Sequence, residues 1–367
     1  MTGLRIAWFG SSLVSAYWNG AATYYRGLIE ALVRRGHAVT FYEPDAFGRQ
    51  AHRDLDDPGW ARVVVYPGEG EAGVAAALAE SVEADVVVKA SGVGVFDALL
   101  EREIAARGAG GTFTVYWDVD APATLERLRH DPCDPLRPLV ARFDLVLTYG
   151  GGPAVIAGFE ALGARRAVPI YNGLDPATHH PVVPDPRFAC DLAFLGNRLP
   201  DRERRVDEFF FEVARRLPER RFLLGGAGWE DKPRPANVEY VGHVFTRDHN
   251  AWNSTPLAVL NVSRESMALC GWSPATRVFE AAGAAACLIT DAWEGIAQFF
   301  EPGTEVLVAN SGDEVAALLG TLDPERARAI GRAAPARALA HHSYAERAAE
   351  VEALLVEQGA ARREATA

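Results

Sequence analysis

The sequence is poor in cysteine and methionine, with four and two residues respectively. Cys133, Cys190, Cys270 and Cys287 are scattered, with neither C-x-x-C nor metal-ligand spacing. This excludes a disulfide framework or a structural zinc site and fits a reduced, cytoplasmic interior. Positive charge is not in excess: 37 Lys and Arg stand against 49 Asp and Glu, a formal net charge of −12. Nucleic acid and anionic membrane surfaces are therefore not expected as main partners. No apolar run reaches about 18 residues, so no membrane-inserted helix is expected. Arg5 followed by IAWFGSSLV has the outline of a weak signal peptide. Tyr17, Trp18 and Asn19 follow where small cleavage-site residues would stand, so a first β-strand is the better reading. Two fingerprints are also missing. Gly10 is followed by Ser11, Ser12 and Leu13, not by G-x-G-x-x-G, and no G-x-S-x-G elbow makes either serine a nucleophile.

What is present is a long alternation of strands and helices. The chain has 367 residues and is 49% hydrophobic, enough for two domains with full cores. Strands are predicted at 4–9, 38–42, 63–66, 85–90, 112–117 and 144–149. A helix at 23–35 places Tyr24, Leu28, Ile29 and Leu32 on one side. Residues 172–190 hold four prolines and little periodicity and read as a linker. A second series follows, with strands at 191–195, 221–224, 238–241, 258–262, 287–290 and 305–308. From Asp313 the chain reads as helices to its end. The fold class predicted is α/β, two Rossmann-like domains with parallel sheets facing across a cleft. Functional groups are expected beyond the carboxyl ends of the strands. In the first domain these ends deliver Ser11, Ser12, Lys89, Ser91, Asp118 and Asp120. A snorkelling lysine is the bland reading of Lys89. His179-His180 and His341-His342 lack ligand spacing and read as solvated residues.

The stretch GWSPATRVFEAAGAAACLIT, residues 271–290, reads as a turn, a helix and a buried strand. Ser273 or Thr276 is expected to cap the helix, and Pro274 suits its first turn. Arg277 and Glu280 lie three apart and share a face. A helix N-terminus with an arginine beside it suits a diphosphate, and a carboxylate further along suits sugar hydroxyls. Asn197, Arg198 and Arg264 stand at strand ends of the second domain. His243, after the strand-end Gly242, is placed to line a nucleotide pocket. Asp118-Val-Asp120 has the outline of a D-x-D metal motif. The preferred reading gives one aspartate the acceptor hydroxyl and the other the following turn.

These blocks resemble the GT-B glycosyltransferases, and within them the CgeB-like (spore maturation protein-like) branch. The carrying residues are LRIAWFG at the start, YWDVDAP at 116–122, DLVLTYGGG at 144–152 and DLAFLGNRLPDR at 191–202. TRVFEAAGAAACLITD at 276–291 and EPGTEVLV at 301–308 complete the set. The resemblance implies a bacterial, cytoplasmic enzyme with an acceptor domain at 1–175 and a nucleotide-sugar donor domain at 176–342. A C-terminal helix at 343–367 would cross back to the first domain. It implies that Glu280 holds the ribose hydroxyls, that Arg277 and Arg198 meet the diphosphate, and that the backbone at Gly242–Val244 meets the base. Many retaining relatives carry a second glutamate eight residues before the first; here that position is Trp272.

The function expected is transfer of a sugar from a nucleotide diphosphate sugar, UDP-linked, to a soluble acceptor, without a metal or other cofactor. The donor-binding set is Asn197, Arg198, Gly242, His243, Val244, Arg264, Ser273, Thr276, Arg277 and Glu280. The acceptor-binding set is Ser11, Ser12, Tyr17, Asn19, Tyr24, Asp118 and Asp120. Asp118 and Glu280 are the catalytic candidates, with Asp118 or a donor phosphate oxygen taking the acceptor proton. Two alternatives remain: a nucleotide-sugar epimerase of the same fold, which needs Asp118 and Asp120 around the sugar, and a non-catalytic nucleotide-sugar or solute-binding protein. Solute-binding proteins usually show a secretion signal and a hinge crossed more than once, and the sequence displays neither.

Overall fold

Continuous apolar runs such as VVVKA and FTVYWD can be buried on both faces only in a parallel sheet covered by helices. The computed structural model describes the backbone of residues 3–366 and the side chains of residues 3–357. The chain forms two compact units, residues 1–171 with 344–367, and residues 172–343. The first unit has strands β1 (Arg5–Phe9), β2 (Ala38–Asp45), β3 (Arg62–Pro67), β4 (Val86–Ala90), β5 (Phe113–Asp118), β6 (Leu145–Thr148) and β7 (Ala167–Pro169). They are all parallel, in the order β3-β2-β1-β4-β5-β6-β7. The second has β8 (Leu192–Leu195), β9 (Phe222–Gly225), β10 (Val238–Gly242), β11 (Ala258–Asn261), β12 (Leu288–Asp291) and β13 (Leu307–Ala309). These too are parallel, in the order β10-β9-β8-β11-β12-β13. Both are Rossmann-like sheets, as the alternation predicted.

Three local features depart from expectation. β7 is an unforeseen edge strand of three residues ending in Pro169, which an edge tolerates. The helical stretch from Pro200 to Arg216 widens into a π-helical turn at Asp207–Phe211. That turn brings three consecutive phenylalanines, Phe209, Phe210 and Phe211, into one core. The proline-rich 172–190 segment is no free linker. Asn172, Leu174 and His179 are buried, and Leu174 pairs with Ser343 in an isolated parallel bridge. The chain thus passes between units twice, so a single hinge crossing cannot be held against a solute-binding reading.

The C-terminal helix, Tyr344–Thr366, is part of the first unit. Tyr344, Ala348, Val351 and Leu355 recur at helical spacing and join the core formed with Tyr24, Tyr25, Leu28 and Leu32. The close approach rests on Gly27, where an added Cβ would lie 2.1 Å from the Tyr344 ring. Gly27→Val is expected to cost about 1–3 kcal/mol by overpacking this seam. Urea denaturation checks it: an unchanged midpoint would show that the helix does not need this contact.

Candidate functional site

In the second unit the strand order reverses between β8 and β11. Ligands of open α/β sheets bind outside the carboxyl ends at such a point. β8 runs into Gly196, Asn197 and Arg198, and β11 into Val262, Ser263 and Arg264. Asp291, fully buried at the end of β12, fixes the second of these loops. It accepts from the Ser263 N–H and hydroxyl at 3.1 Å each and pairs with Arg205 at 2.7 Å.

The Thr276–Gly283 helix starts beside these strands with Ala275 at its N-cap and no side-chain cap. Neither Ser273 nor Thr276 caps it, contrary to the local sequence signal. The Ser273 hydroxyl donates to the Gly271 carbonyl at 3.0 Å, and the Thr276 hydroxyl donates to Asn172 Oδ1 at 3.1 Å. Asn172 also donates to the Pro274 carbonyl at 3.0 Å. The helix therefore presents its positive end without a side-chain acceptor on it.

Arg277 and Glu280 share this helix. Arg277 Nη1 is buried without a hydrogen-bond partner, and burial lowers the guanidinium pKa while Glu280 raises it. Burial alone would raise the Glu280 carboxyl, but His179 and Arg277 draw it below its ordinary value. His179 Nε2 lies 3.8 Å from Glu280 Oε1, and His249 Nδ1 lies 3.9 Å from Oε2. Burial pushes His249 down to about 4, so its ring is neutral at pH 7. Both ring nitrogens of His179, His249 Nδ1 and Glu280 Oε2 are buried without partners. Buried polar atoms are seldom left so, which makes this cluster a candidate ligand site.

The other cations predicted here already hold carboxylates. Arg198 pairs with Glu203 at 2.7 Å and Asp231 at 2.9 Å, and Arg264 pairs with Asp201 at 2.6 Å. Arg198 and Lys232 push Glu203 down to about 2. Asn197 Oδ1 accepts from the Ala227 N–H at 3.0 Å. Gly242 ends β10 with φ +74°, Val244 is buried, and His243 is exposed with its ring edge on Phe245 at 4.7 Å. Trp272 adopts φ +49°, costly for so large a residue, and packs where Gly295 has no Cβ.

In the first unit most predicted acceptor residues are committed to the fold. Tyr24 is a core residue; its hydroxyl donates to the Ile170 carbonyl at 2.8 Å and accepts from Trp117 Nε1 at 3.1 Å. This overturns its placement on an acceptor surface, because the apolar face of its helix is buried. Ser12 donates to Glu43 at 2.8 Å and Ser11 donates to Asn19 at 2.9 Å. Asn19 in turn donates to the Ser12 and Ser15 carbonyls. Tyr17 is exposed and stacks on His52 with centroids 4.0 Å apart. Asp118 is fully buried, and its Oδ1 accepts from Ser91 and from the Asp120 N–H, each at 2.9 Å. Burial raises its pKa. The two aspartates form a turn, not a pair of converging ligands. Lys89 does not snorkel: it is fully buried on Asp97 at 2.7 Å, with Glu101 at 3.8 Å.

The residues not foreseen are His179, His249, Asp291 and Arg205. His179 read as solvated and is 3% exposed. His342 also read as solvated and is buried among Phe279, Phe299 and Phe300. Among the described residues, no helix is long and apolar enough to cross a membrane.

Residues 202–353 match a family model described as glycosyl transferase-like. No curated protein sequence matches the chain significantly. Among solved structures the chain resembles sucrose-phosphate synthase from Thermosynechococcus elongatus, with TM-score 0.69 and 14% identity over 98% of this chain and 100% of that one. It also resembles HepE of Anabaena in complex with UDP-glucose, with TM-score 0.66 and 16% identity over 96% and 100%. A third likeness is AviGT4, a glycosyltransferase involved in avilamycin A biosynthesis, with TM-score 0.60 and 18% identity over 97% and 98%. The chain has the GT-B fold.

Proposed function

We propose that this chain is a glycosyltransferase, of the CgeB-like branch and working in the cytoplasm, that takes a sugar from a nucleotide diphosphate sugar. The observation that carries the reading is the set of unpartnered buried groups on Arg277, Glu280, His179 and His249 at an uncapped helix N-terminus. The helix amides and Arg277 hold the diphosphate, and stabilise the charge that develops on it as the sugar leaves. Glu280 accepts from the ribose hydroxyls, and the backbone at Gly242–Val244 meets the base. Arg198 and Arg264 join the phosphates by exchanging their carboxylate partners. The neighbour HepE, solved with UDP-glucose, favours a UDP-sugar.

The acceptor proton passes to a donor phosphate oxygen, because the Asp118 carboxylate is sealed in the fold. The same burial disfavours an epimerase, which needs Asp118 and Asp120 around the sugar. No metal is required in this reading, since Arg277 and the helix end supply the positive charge. The first unit selects the acceptor, with exposed Tyr17 the foremost candidate.

Thermal unfolding with UDP, dTDP, GDP, ADP and CDP, each with magnesium and with EDTA, tests the reading. A diphosphate at about a hundred times its Kd stabilises by roughly 2.7 kcal/mol. One of them, with UDP foremost, is expected to do so equally in EDTA. Stabilisation only with magnesium would overturn the metal-free mechanism, and none with any nucleotide would overturn the donor site.

A further inference from the structure

In the first unit the strand order reverses between β1 and β4, and the loops after β1 and β2 leave three large aromatic rings in water. Tyr17 is 40% exposed, Trp18 55% and Phe47 56%. Trp18 and Phe47 also hold positive φ, +47° and +57°. Bulky residues avoid that region, and such strain persists only where the surroundings impose it. Exposed apolar residues scattered singly need no explanation. Strained aromatics grouped at the ligand-binding edge of a parallel sheet do.

Three rings form one surface. Trp18 meets Tyr17 edge-on, with centroids 6.3 Å apart and planes at 81°. Tyr17 lies parallel to the exposed His52 ring, at 4.0 Å and 10°. The loop beneath them is fixed by hydrogen bonds. The fully buried Ser15 donates to the His52 carbonyl at 2.8 Å and accepts from the Tyr17 N–H at 3.2 Å. The Ala16 N–H donates to Asp54 Oδ1 at 2.9 Å, and Arg26 holds the same oxygen at 2.7 Å. Rings already held in place lose little freedom when a ligand arrives, so more of the contact energy appears as affinity.

Each ring joins an apolar face to a polar edge. His52 Nδ1 lies 2.8 Å from the Gly48 carbonyl, which only accepts, so Nδ1 carries the proton. Nε2 of the neutral ring is then an acceptor. The Trp18 indole N–H is a donor, and the Tyr17 hydroxyl is both. The arginines alongside are taken up by carboxylates, Arg26 by Asp54 and Arg53 by Asp57. The surface therefore offers flat apolar faces with neutral hydrogen-bonding rims. A neutral saccharide ring is the complement: its C–H face lies on an aromatic ring and its hydroxyls meet the rim. A purely aromatic ligand would cover the faces and leave the rims unused.

We infer that Tyr17, Trp18 and His52 form a binding site for a neutral saccharide. Resting on the acceptor role given above to the first unit, this saccharide is the acceptor, and the enzyme extends a glycan.

Saturation-transfer NMR on the full chain tests it. The panel holds neutral oligosaccharides of gluco, galacto, manno and xylo configuration, their uronic acid counterparts, and phenols. At least one neutral oligosaccharide is expected to bind, and isothermal titration then measures its Kd. Trp18→Gly and His52→Ala should each weaken it at least about 10-fold. His52→Phe, which keeps a ring but loses the acceptor, should fall between His52→Ala and the wild type. Glycine relieves the positive φ, so Trp18→Gly should melt at or above the wild-type temperature. A lower melting temperature would make Trp18 a support of the fold and overturn its role in binding. Binding of only acidic saccharides or phenols, or of nothing in the panel, would overturn the saccharide class. Binding that Trp18→Gly and His52→Ala leave unchanged would overturn the location. Thermal unfolding with UDP runs alongside. Nucleotide stabilisation without saccharide binding would overturn this inference alone. Saccharide binding lost in the variants, without a response to any nucleotide, would overturn the transferase reading and leave the saccharide site standing.

Discussion

Glu280→Gln is expected to abolish the stabilisation that a nucleoside diphosphate confers on this protein. At about a hundred times the wild-type Kd that stabilisation is roughly 2.7 kcal/mol. The expected change has two causes. The carboxylate is a pure acceptor, and its Oε2 is buried without a partner; a ligand hydroxyl satisfies it. An amide keeps the shape but replaces one accepting oxygen with a donor, which then faces the hydroxyl's own proton. Glu280 is also the acidic partner that raises the buried Arg277. With it gone, Arg277 stays charged but loses the carboxylate that compensates its burial. Near-UV circular dichroism of the unliganded variant separates a lost site from a lost fold. An intact variant that is still fully stabilised by the nucleotide would remove Glu280 from the site.

The second large effect is structural and lies in the first unit. Lys89→Met is expected to cost about 3–5 kcal/mol at pH 8, as breaking a buried pair from one side does. Lys89 is fully buried with Nζ 2.7 Å from Asp97 Oδ1 and 3.8 Å from Glu101 Oε1. It also donates to the Ala90 carbonyl at 2.7 Å. Without it Glu101 remains, 6% exposed, with Arg127 the cation still acting on it. The loss should depend on pH. Burial already pushes the Glu101 carboxyl up to about 7, while Lys89 holds it down. A carboxyl raised by folding binds its proton more tightly in the folded state, so its contribution to stability falls as pH rises from about 4.5 to about 7. Lys89→Met raises it further and is therefore less damaging at pH 5 than at pH 8. Glu101→Gln runs the other way, gaining stability at pH 8 and little at pH 5. Urea denaturation at both pH values decides it; a loss independent of pH would show that Glu101 is not the buried charge responsible.

The architecture was legible because parallel strands must be buried on both faces. VVVKA and FTVYWD announce themselves as β4 and β5, whereas the three-residue β7 is too short to form a pattern. Arg277 and Glu280 were legible for a similar reason, since a spacing of three on an otherwise apolar helix puts both charges on one face. His179 was not. It sits among prolines and polar residues, and its burial comes from docking beside a helix a hundred positions along the chain. Ser273 and Thr276 looked like caps because the local pattern cannot see Asn172, which takes the threonine hydroxyl. The periodicity at 23–35 had already put Tyr24 with Leu28 and Leu32 on an apolar face, and in the structure that face is core. Arg198 and Arg264 were found as cations at strand ends, but their carboxylate partners Asp201 and Glu203, a few residues downstream of Arg198, were not weighed against the phosphate role.

The most direct test is a crystal structure of the protein with UDP bound in the absence of divalent metal. The account predicts the diphosphate at the N-terminus of the Thr276–Gly283 helix within reach of Arg277, and both ribose hydroxyls within hydrogen-bond distance of Glu280. A nucleotide seated instead at the Gly10–Ser12 loop of the first unit, or bound with Glu280 still unpartnered, would contradict it.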